Sequence, residues 1–366
     1  MNPRFARLQE ALRQANLDAL ALNPGASLTY LTGLHFHLME RPVVGLFTAA
    51  GERALILPQL EAPKIADRGD LQAFFYGEDP AQWGKVFRQA LHHLGLTAAR
   101  IGVEPTRLRV LELRLLEAAA PQAEFLAADA VLADLRAVKD ADEIAAMQHA
   151  VAVAQQALRT ALADFRLGMT ERELAARLVM ALLQHGSAPE LPFQPIVAAG
   201  PNAANPHATP TDRPIQEGDL LIIDWGASWH GYFSDLTRTF AIGSVEPELA
   251  HIVAVVAEAN AAGRAAARPG QTAGEVDRAA RAVIAAAGYA PYFTHRTGHG
   301  LGLDVHEPPF IFADNPAPLR AGMTFTVEPG IYLLGRGGAR IEDDIVVTPD
   351  GARSLSDLPR ALQPLG

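Results

Sequence analysis

The sequence predicts an α+β protein in two parts, and three observations carry that prediction. The chain has 366 residues, more than one ordinary hydrophobic core organises. Residues 1 to about 130 mix helix and strand signals. The remainder holds an internal repeat, in which a pair of helices leads twice into a strand-rich stretch.

In the first part a helix is expected from about Arg4 to Ala15. Asp18 to Leu22 follows as a short buried-strand pattern, ended by Asn23-Pro24-Gly25. Val43 to Ala49 and Ala54 to Leu57 flank Ala50-Gly51-Glu52-Arg53 and read as a hairpin. Trp83 to Leu94 and Leu108 to Ala120 read as helices. Leu135 to Asp140 carries polar residues suited to a linker.

In the second part Ala141 to Phe165 is one long helical segment, and Gly168-Met-Thr170-Glu-Arg-Glu173 opens another. Later, Glu248 to Ala267 is helical and Gly270-Gln-Thr272-Ala-Gly-Glu275 opens its partner. Both second helices begin with Thr-x-x-Glu, a capping box that satisfies orphan amide donors of the first turn. Both end at a glycine, Gly186 and Gly288. Shared caps can arise by chance, but the matching Gly-x-Thr-x-x-Glu and similar helix lengths favour a duplication. The strand ribbons after the helix pairs hold Leu220 to Asp224 with Ser234 to Ile242, and Met323 to Leu333 with Ala339 to Thr348. Two such halves suggest one sheet backed by helices, with a site at their junction.

Composition narrows the classes of function. The net charge of −10 offers no general attraction to nucleic acid or anionic lipid. The absence of cysteine removes disulfides, thiolate metal sites and a cysteine nucleophile. Met1 to Leu17 is broken by Arg4, Arg7, Glu10 and Arg13 and lacks a signal-peptide core. No uncharged apolar stretch approaches the roughly 18 residues of a membrane span. A cytoplasmic location is expected.

Asp224 ends the most apolar strand of the chain. A carboxylate there costs several kcal/mol in desolvation unless paired, hydrogen-bonded or bound to metal. The next strand offers Asp235, with Thr237 and Thr239 on its face, whereas Arg238 has the opposite parity. On this pair alone, two ordinary turn carboxylates remain an open reading. The second half repeats the arrangement. Thr324, Thr326 and Glu328 share one strand face, and Arg340, Glu342 and Asp344 share another. His299 adds an imidazole between glycines that permit close backbone approach. Four carboxylates and a histidine suit two hard to borderline divalent cations, Mn²⁺ first, with Co²⁺ or Zn²⁺ as alternatives.

These residues and their flanks carry a family resemblance. Asp224 and Asp235, His299 in His295-Arg-Thr-Gly-His-Gly-Leu-Gly-Leu-Asp-Val-His-Glu307, Glu328 in Thr-Val-Glu-Pro-Gly and Glu342 in Arg-Ile-Glu-Asp-Asp resemble the five-ligand pattern of the pita-bread metallopeptidases. Leu135-Arg-Ala-Val-Lys-Asp-Ala-Asp-Glu-Ile144 is similar to the start of the catalytic domain in the prolidase (Xaa-Pro dipeptidase) and aminopeptidase P branch. The resemblance spans essentially the whole chain. It implies a creatinase-like α/β domain over 1–130 and a catalytic pita-bread domain over 131–366, with pseudo-twofold halves around a curved antiparallel sheet. It further implies that Asp235 and Glu342 bridge two metals, Asp224 holds one, and His299 with Glu328 the other. A hydroxide bridging the metals would cleave the bond before proline in Xaa-Pro dipeptides, with Glu328 handling the proton. His207 and His306, which alone would read as loop histidines, match the family's two non-ligand histidines. They would stabilise the oxyanion or hold the proline end.

Two departures bear on substrate choice. Phe193 stands where many prolidases carry a tyrosine, and Phe310 where several carry an arginine that grips the substrate carboxylate. Arg340 is the nearest substitute by motif. Arg41, with Glu40 or His37 beside it, is a second candidate from the first domain, against which stands a solvated loop pair. Release of the first residue from longer Xaa-Pro peptides, as by aminopeptidase P, is the alternative activity. A non-enzymatic binding module on the same scaffold is disfavoured by the intact five ligands. The expected partner is a small peptide substrate, without nucleic acid or membrane, and a homodimer is the default assembly.

Overall fold

The computed structural model describes residues 3–365, so Met1 and Asn2, at the head of the Met1 to Leu17 segment, lie outside the described residues. The chain divides into two compact units that meet between Arg136 and Ala137.

The first unit is a six-stranded mixed sheet with helices. Helix α1 (Pro3–Gln14) leads into β1 (Ala19–Leu22), and α2 (Ala26–Thr32) follows. Strands β2 (Val44–Thr48), β3 (Arg53–Pro58) and β4 (Gln72–Tyr76), helix α3 (Trp83–His93), β5 (Arg100–Val103), α4 (Val110–Ala119), β6 (Glu124–Ala127) and α5 (Asp129–Ala137) complete it. Sheet order is β4-β3-β2-β1-β5-β6. The expected hairpin is the antiparallel pair β2–β3, while β5 joins β1 in parallel. The central strands are apolar because both faces are covered: Ala21, Leu46, Ile56 and Ile101 pack with Phe87, Leu91 and Leu116 of α3 and α4.

In the second unit α6 (Ala141–Ala163), α7 (Glu171–Gln184), β7 (Ile196–Ala199), β8 (Leu220–Trp225), the short β9 (Ser228–Trp229) and β10 (Tyr232–Phe233), and β11 (Leu236–Ile242) form one half. The other comprises α8 (Pro247–Ala266), α9 (Ala273–Ala286), β12 (Gly298–Gly300), β13 (Glu307–Ile311), β14 (Thr324–Val327), β15 (Gly330–Leu333), β16 (Gly337–Arg340), β17 (Asp343–Thr348) and β18 (Gly351–Ser354). A last strand, β19 (Gln363–Leu365), returns to the first half in parallel beside β11. The sheets are β19-β11-β8-β7 and β13-β12-β14-β17-β18. An antiparallel bridge between Thr237 and Glu342 links the two halves.

The duplication is visible bond by bond. Thr170 and Thr272 each cap their helix through a complete capping box, with Glu173 and Glu275. Thr170 pairs with Pro214 as Thr272 pairs with Pro318. Around each cap the amide of Gly168 donates to Ile215 O and that of Gly270 to Leu319 O. Glu171 N donates to Arg213 O, and Ala273 N to Ala317 O. Such repetition fixes each helix pair against its own ribbon, and so fixes the ribbons that carry the polar strand ends.

The stretch read as a linker is more ordered than its polarity suggests. Leu135 to Ala137 belong to α5, and Asp140 caps α6 with Glu143. Lys139 is buried and pairs with Glu307 at 2.5 Å. Its amide donates to Gly322 O. The motif therefore ties the start of the second unit to the turn that presents His306.

Candidate metal centre

Each acidic side chain of the site sits at or just beyond the end of a strand. Asp224 is the penultimate residue of β8, Asp235 immediately precedes β11, Glu328 follows β14, and Glu342 precedes β17. At Asp235, Glu328 and Glu342 the side chain can turn from the strand end toward the other half, while Asp224 is still paired within its sheet. Asp224 lies opposite Thr237 in the β8–β11 register. Thr237 bonds across the junction, its Oγ1 donating to Glu342 Oε2 at 2.6 Å.

Donor atoms of Asp235, His299 and Glu342 all lie within 4.8 Å of one another, and all three residues are buried. Glu328 Oε1 is 3.3 Å from His299 Nε2, and Asp235 Oδ2 is 3.6 Å from it. His299 Nδ1 faces Gly300 O at 3.2 Å. That contact places the proton on Nδ1 and leaves the Nε2 lone pair facing the carboxylates. A side chain at position 298 would overlap the Thr326 carbonyl oxygen, so Gly298 is what lets β12 approach closely enough. Asp224 is oriented differently. Its Oδ2 accepts from Arg340 Nη2 at 2.6 Å, while Oδ1 is buried with no hydrogen-bond partner among the described residues.

Electrostatics explain what the cluster requires. Burial and the neighbouring carboxylates Glu342 and Asp224 hold the Asp235 acid well above the usual carboxylate range. Glu342 is raised in the same way, by burial and by Glu328 and Asp224. Burial pushes Glu328 up to about 7, against the opposing pull of Arg340. Burial drives His299 down to about 3, so its imidazole is neutral and able to ligate. Four mutually repelling carboxylates with one imidazole, and an orphaned oxygen on Asp224, fit divalent cations.

The arrangement predicts a pH signature. Protons and cations compete for carboxylates whose folded-state pKa values are raised, whereas His299 stays neutral across the same range. Without metal, the stability contributed by protonated Glu328 is lost as pH rises from the usual carboxylate value through about 7. The stabilisation gained on adding Mn²⁺ is therefore expected to grow over that window. Paired melting curves with and without Mn²⁺ at about pH 5 and about pH 8 check this. A smaller Mn²⁺-induced rise in Tm at the higher pH would contradict it.

Behind the cluster lies a buried polar chain that sequence reasoning missed. Arg340 Nε donates to Thr237 Oγ1 at 3.2 Å, and its Nη1 to Tyr332 OH at 2.9 Å and to Pro206 O at 3.2 Å. Tyr332 OH in turn meets His295 Nε2 at 2.8 Å. Arg340, expected as a substrate grip, thus has Nε and both terminal nitrogens engaged with protein acceptors and backs Asp224. The Gly335 to Gly338 cluster is only partly a loop, since Gly337 and Gly338 belong to β16. Gly338 lies in β16 opposite Tyr332, where a larger residue would overlap the Ala203 carbonyl oxygen and crowd the ring. The glycine run was the available signal for this buried tyrosine.

A cavity of about 610 Å³ opens over the cluster, lined by residues of the second unit alone. His207 and His306 line it without belonging to the tight cluster. His306 stands edge-on to His299 at 4.2 Å between ring centroids. Partial burial, Arg296 and His207 lower its pKa, which favours the neutral ring. Phe193 also lines the cavity. Glu40 and Arg41 lie in the first unit, where Arg41 contacts Glu40 at 2.6 Å and Glu78 at 2.8 Å. In the same loop, the His37 ring lies tilted against that of His35, 5.8 Å between centroids.

Fold and site together define a metallopeptidase. Residues 145–349 match metallopeptidase family M24 and residues 4–138 match the creatinase/prolidase N-terminal domain. The chain belongs to family M24, in its prolidase branch. It is similar to a dipeptidase from Pyrococcus horikoshii OT3, at 40% identity and a TM-score of 0.93 over 99% of this chain and 100% of that one. Dipeptidase PepE from Mycobacterium ulcerans has 38% identity and a TM-score of 0.91, covering 99% and 97% of the two chains. The Xaa-Pro dipeptidase of Pyrococcus furiosus is 33% identical over 364 residues, 99% of this chain and 100% of that protein.

Proposed function

We propose that this chain hydrolyses the bond before proline in Xaa-Pro dipeptides, using two divalent cations held by Asp224, Asp235, His299, Glu328 and Glu342. The observation that carries the reading is the buried Asp235–His299–Glu342 cluster beneath the cavity of a family M24 chain. When bound, the cations polarise the scissile carbonyl and lower the pKa of a water molecule.

The chain's own residues supply the rest. Glu328, whose Oε1 lies 3.3 Å from His299 Nε2 on the cavity wall, takes a proton and returns it to the leaving nitrogen. His207 and His306, on the cavity wall, donate to the developing oxyanion or hold the proline end. Arg340 holds Asp224 in its orientation through the Nη2–Oδ2 hydrogen bond. An X-Pro bond is a tertiary amide without an N–H, so a site that works through its carbonyl does not need that hydrogen.

Manganese is the resident metal in this reading because the donors are mostly hard oxygens. A homodimer acting in the cytoplasm completes it. Among the described residues no helix is long and apolar enough to cross a membrane.

A second reading, removal of the first residue from longer Xaa-Pro peptides, is favoured by Phe310 and by the engagement of Arg340. Initial rates on Ala-Pro, Met-Pro and Ala-Pro-Ala with Mn²⁺-loaded protein separate the two. Turnover confined to the dipeptides is expected. Faster cleavage of Ala-Pro-Ala than of Ala-Pro would establish the second reading, and no cleavage of any would remove both.

A further inference from the structure

Outside the metal cavity, three arginines of the second unit converge on one carboxylate. Asp343 is fully buried. Arg238 Nη2 reaches its Oδ1 at 2.8 Å, Arg360 Nε reaches its Oδ2 at 2.7 Å, and Arg264 Nε stands 3.8 Å from that same Oδ2. Among the described residues Asp343 is the one carboxylate that forms an ion pair with any of the three, which leaves two positive charges without a counter-charge. Neither Arg264 nor Arg360 lines the cavity.

The three differ in how fully their donors are used. Arg238 is buried, and all three of its nitrogens donate: Nε to Pro359 O, Nη1 to Thr237 O and Glu342 O, and Nη2 to Leu358 O as well as to Asp343. It is a structural strut. Arg264, on α8, donates through Nε alone, to Asn260 Oδ1 at 2.7 Å, and among the described residues its two terminal nitrogens make no hydrogen bond. Arg360 uses Nε on Asp343 and Nη2 on Ser354 Oγ, which leaves Nη1 open. The side chains of Arg264 and Arg360 are 26% and 25% exposed, so an ion from solvent can reach both. Burial and the neighbouring Arg360 guanidinium hold the Arg264 pKa below its ordinary value, the direction in which crowded like charges push it.

We propose that Arg264 and Arg360 form a binding site for a small, doubly charged tetrahedral oxyanion, a free phosphate or a phosphate ester, where α8 meets the segment after β18. The ion supplies the missing counter-charge and accepts from the open guanidinium donors. Guanidinium edges match the spacing of phosphate oxygens, and two of them around one ion give several charge-assisted hydrogen bonds at once. Asp343 does not oppose the ion, because its single charge is already outweighed by Arg238 behind it. A bound oxyanion ties α8 to the chain's last segment, so it stabilises the folded state by mass action.

Calorimetry with Mn²⁺-loaded protein at constant ionic strength uses sodium sulfate and methyl phosphate as probes, and paired melting curves follow each. Wild type is expected to bind one sulfate and to melt higher in its presence. Arg264→Gln should weaken that binding about ten- to a hundredfold and remove the rise in Tm, with metal content unchanged. Arg264→Lys should recover part of the affinity, because the charge remains without the fork. Arg360→Lys, which keeps a cation beside Asp343, should lose affinity in the same direction and so tests the site through its other member. Methyl phosphate binding as tightly as sulfate would make the ligand an esterified phosphate, and sulfate binding alone would make it a free ion. Sulfate affinity unchanged in both Arg264→Gln and Arg360→Lys would overturn the assignment and place the ion on the metals instead. Failure of wild type to bind either probe would overturn it as well, whatever peptides the enzyme cleaves.

Discussion

Asp235→Ala and Glu342→Ala are each expected to bind less than the full metal complement and to lose roughly four or more orders of magnitude in kcat/KM. Both carboxylates lie in the buried cluster with His299, and both are held well above their usual pKa by burial and by one another's neighbours. Removing either takes away a ligand that the remaining donors cannot replace from a distance. The same electrostatics predict an unusual stability result. Without metal, Asp235 and Glu342 are mutually repelling groups that cost stability when ionised. Metal-free Asp235→Ala is therefore expected to melt no lower than metal-free wild type at about pH 8, while its Mn²⁺-induced rise in Tm is lost. Metal analysis and paired melting curves check both parts. A variant that binds the full complement of metal would remove Asp235 from the ligand set.

His306→Ala is expected to do the opposite: to keep the metal and lose the rate. His306 lines the cavity and stands edge-on to His299 without offering an atom to the tight cluster. Partial burial lowers its pKa, which favours the neutral ring, and that ring still carries an N–H to donate. Deleting one oxyanion donor costs about 10² to 10³ in kcat. Metal content of purified His306→Ala, set beside its kcat on Ala-Pro, makes the distinction. Metal and activity falling together would make His306 a ligand instead.

How much of this was legible in the sequence depends on the range of the interaction. The repeat was legible because a capping box is written within four residues, and both boxes form as expected. Strand parity made the faces of β11 legible, but not the acids that lie beyond the ends of β14 and β16, where the expected single strand through Arg340, Glu342 and Asp344 divides into β16 and β17. Thr237 bonds to Glu342 and Thr239 to Arg340 O, whereas Arg238, of opposite parity, makes a buried pair with Asp343 at 2.8 Å. Helix α2 was missed because Asn23-Pro24-Gly25 reads as a strand end, and seven residues give no helical period to detect. Strands β4 and β6 were missed because they lie at the sheet edges, with partly exposed residues that do not alternate cleanly. Lys139 and Arg136 looked like solvated linker residues, yet both are buried. Polarity alone cannot distinguish a charge in water from a charge with a partner far along the chain.

The same limit applies within the site. Tyr332, His295 and Arg340 meet through the β15–β16 register and the approach of the two halves. No local pattern announces that meeting.

The central claim is that hydrolysis of the Xaa-Pro bond depends on cations held by the five-residue cage. It is tested most directly by stripping the protein with a chelator, removing the chelator, and titrating Mn²⁺ back while following Ala-Pro cleavage and bound metal together. The account predicts no cleavage by the stripped protein, with activity returning as the cage fills and saturating at two equivalents. Full turnover by protein shown to be free of metal would contradict it.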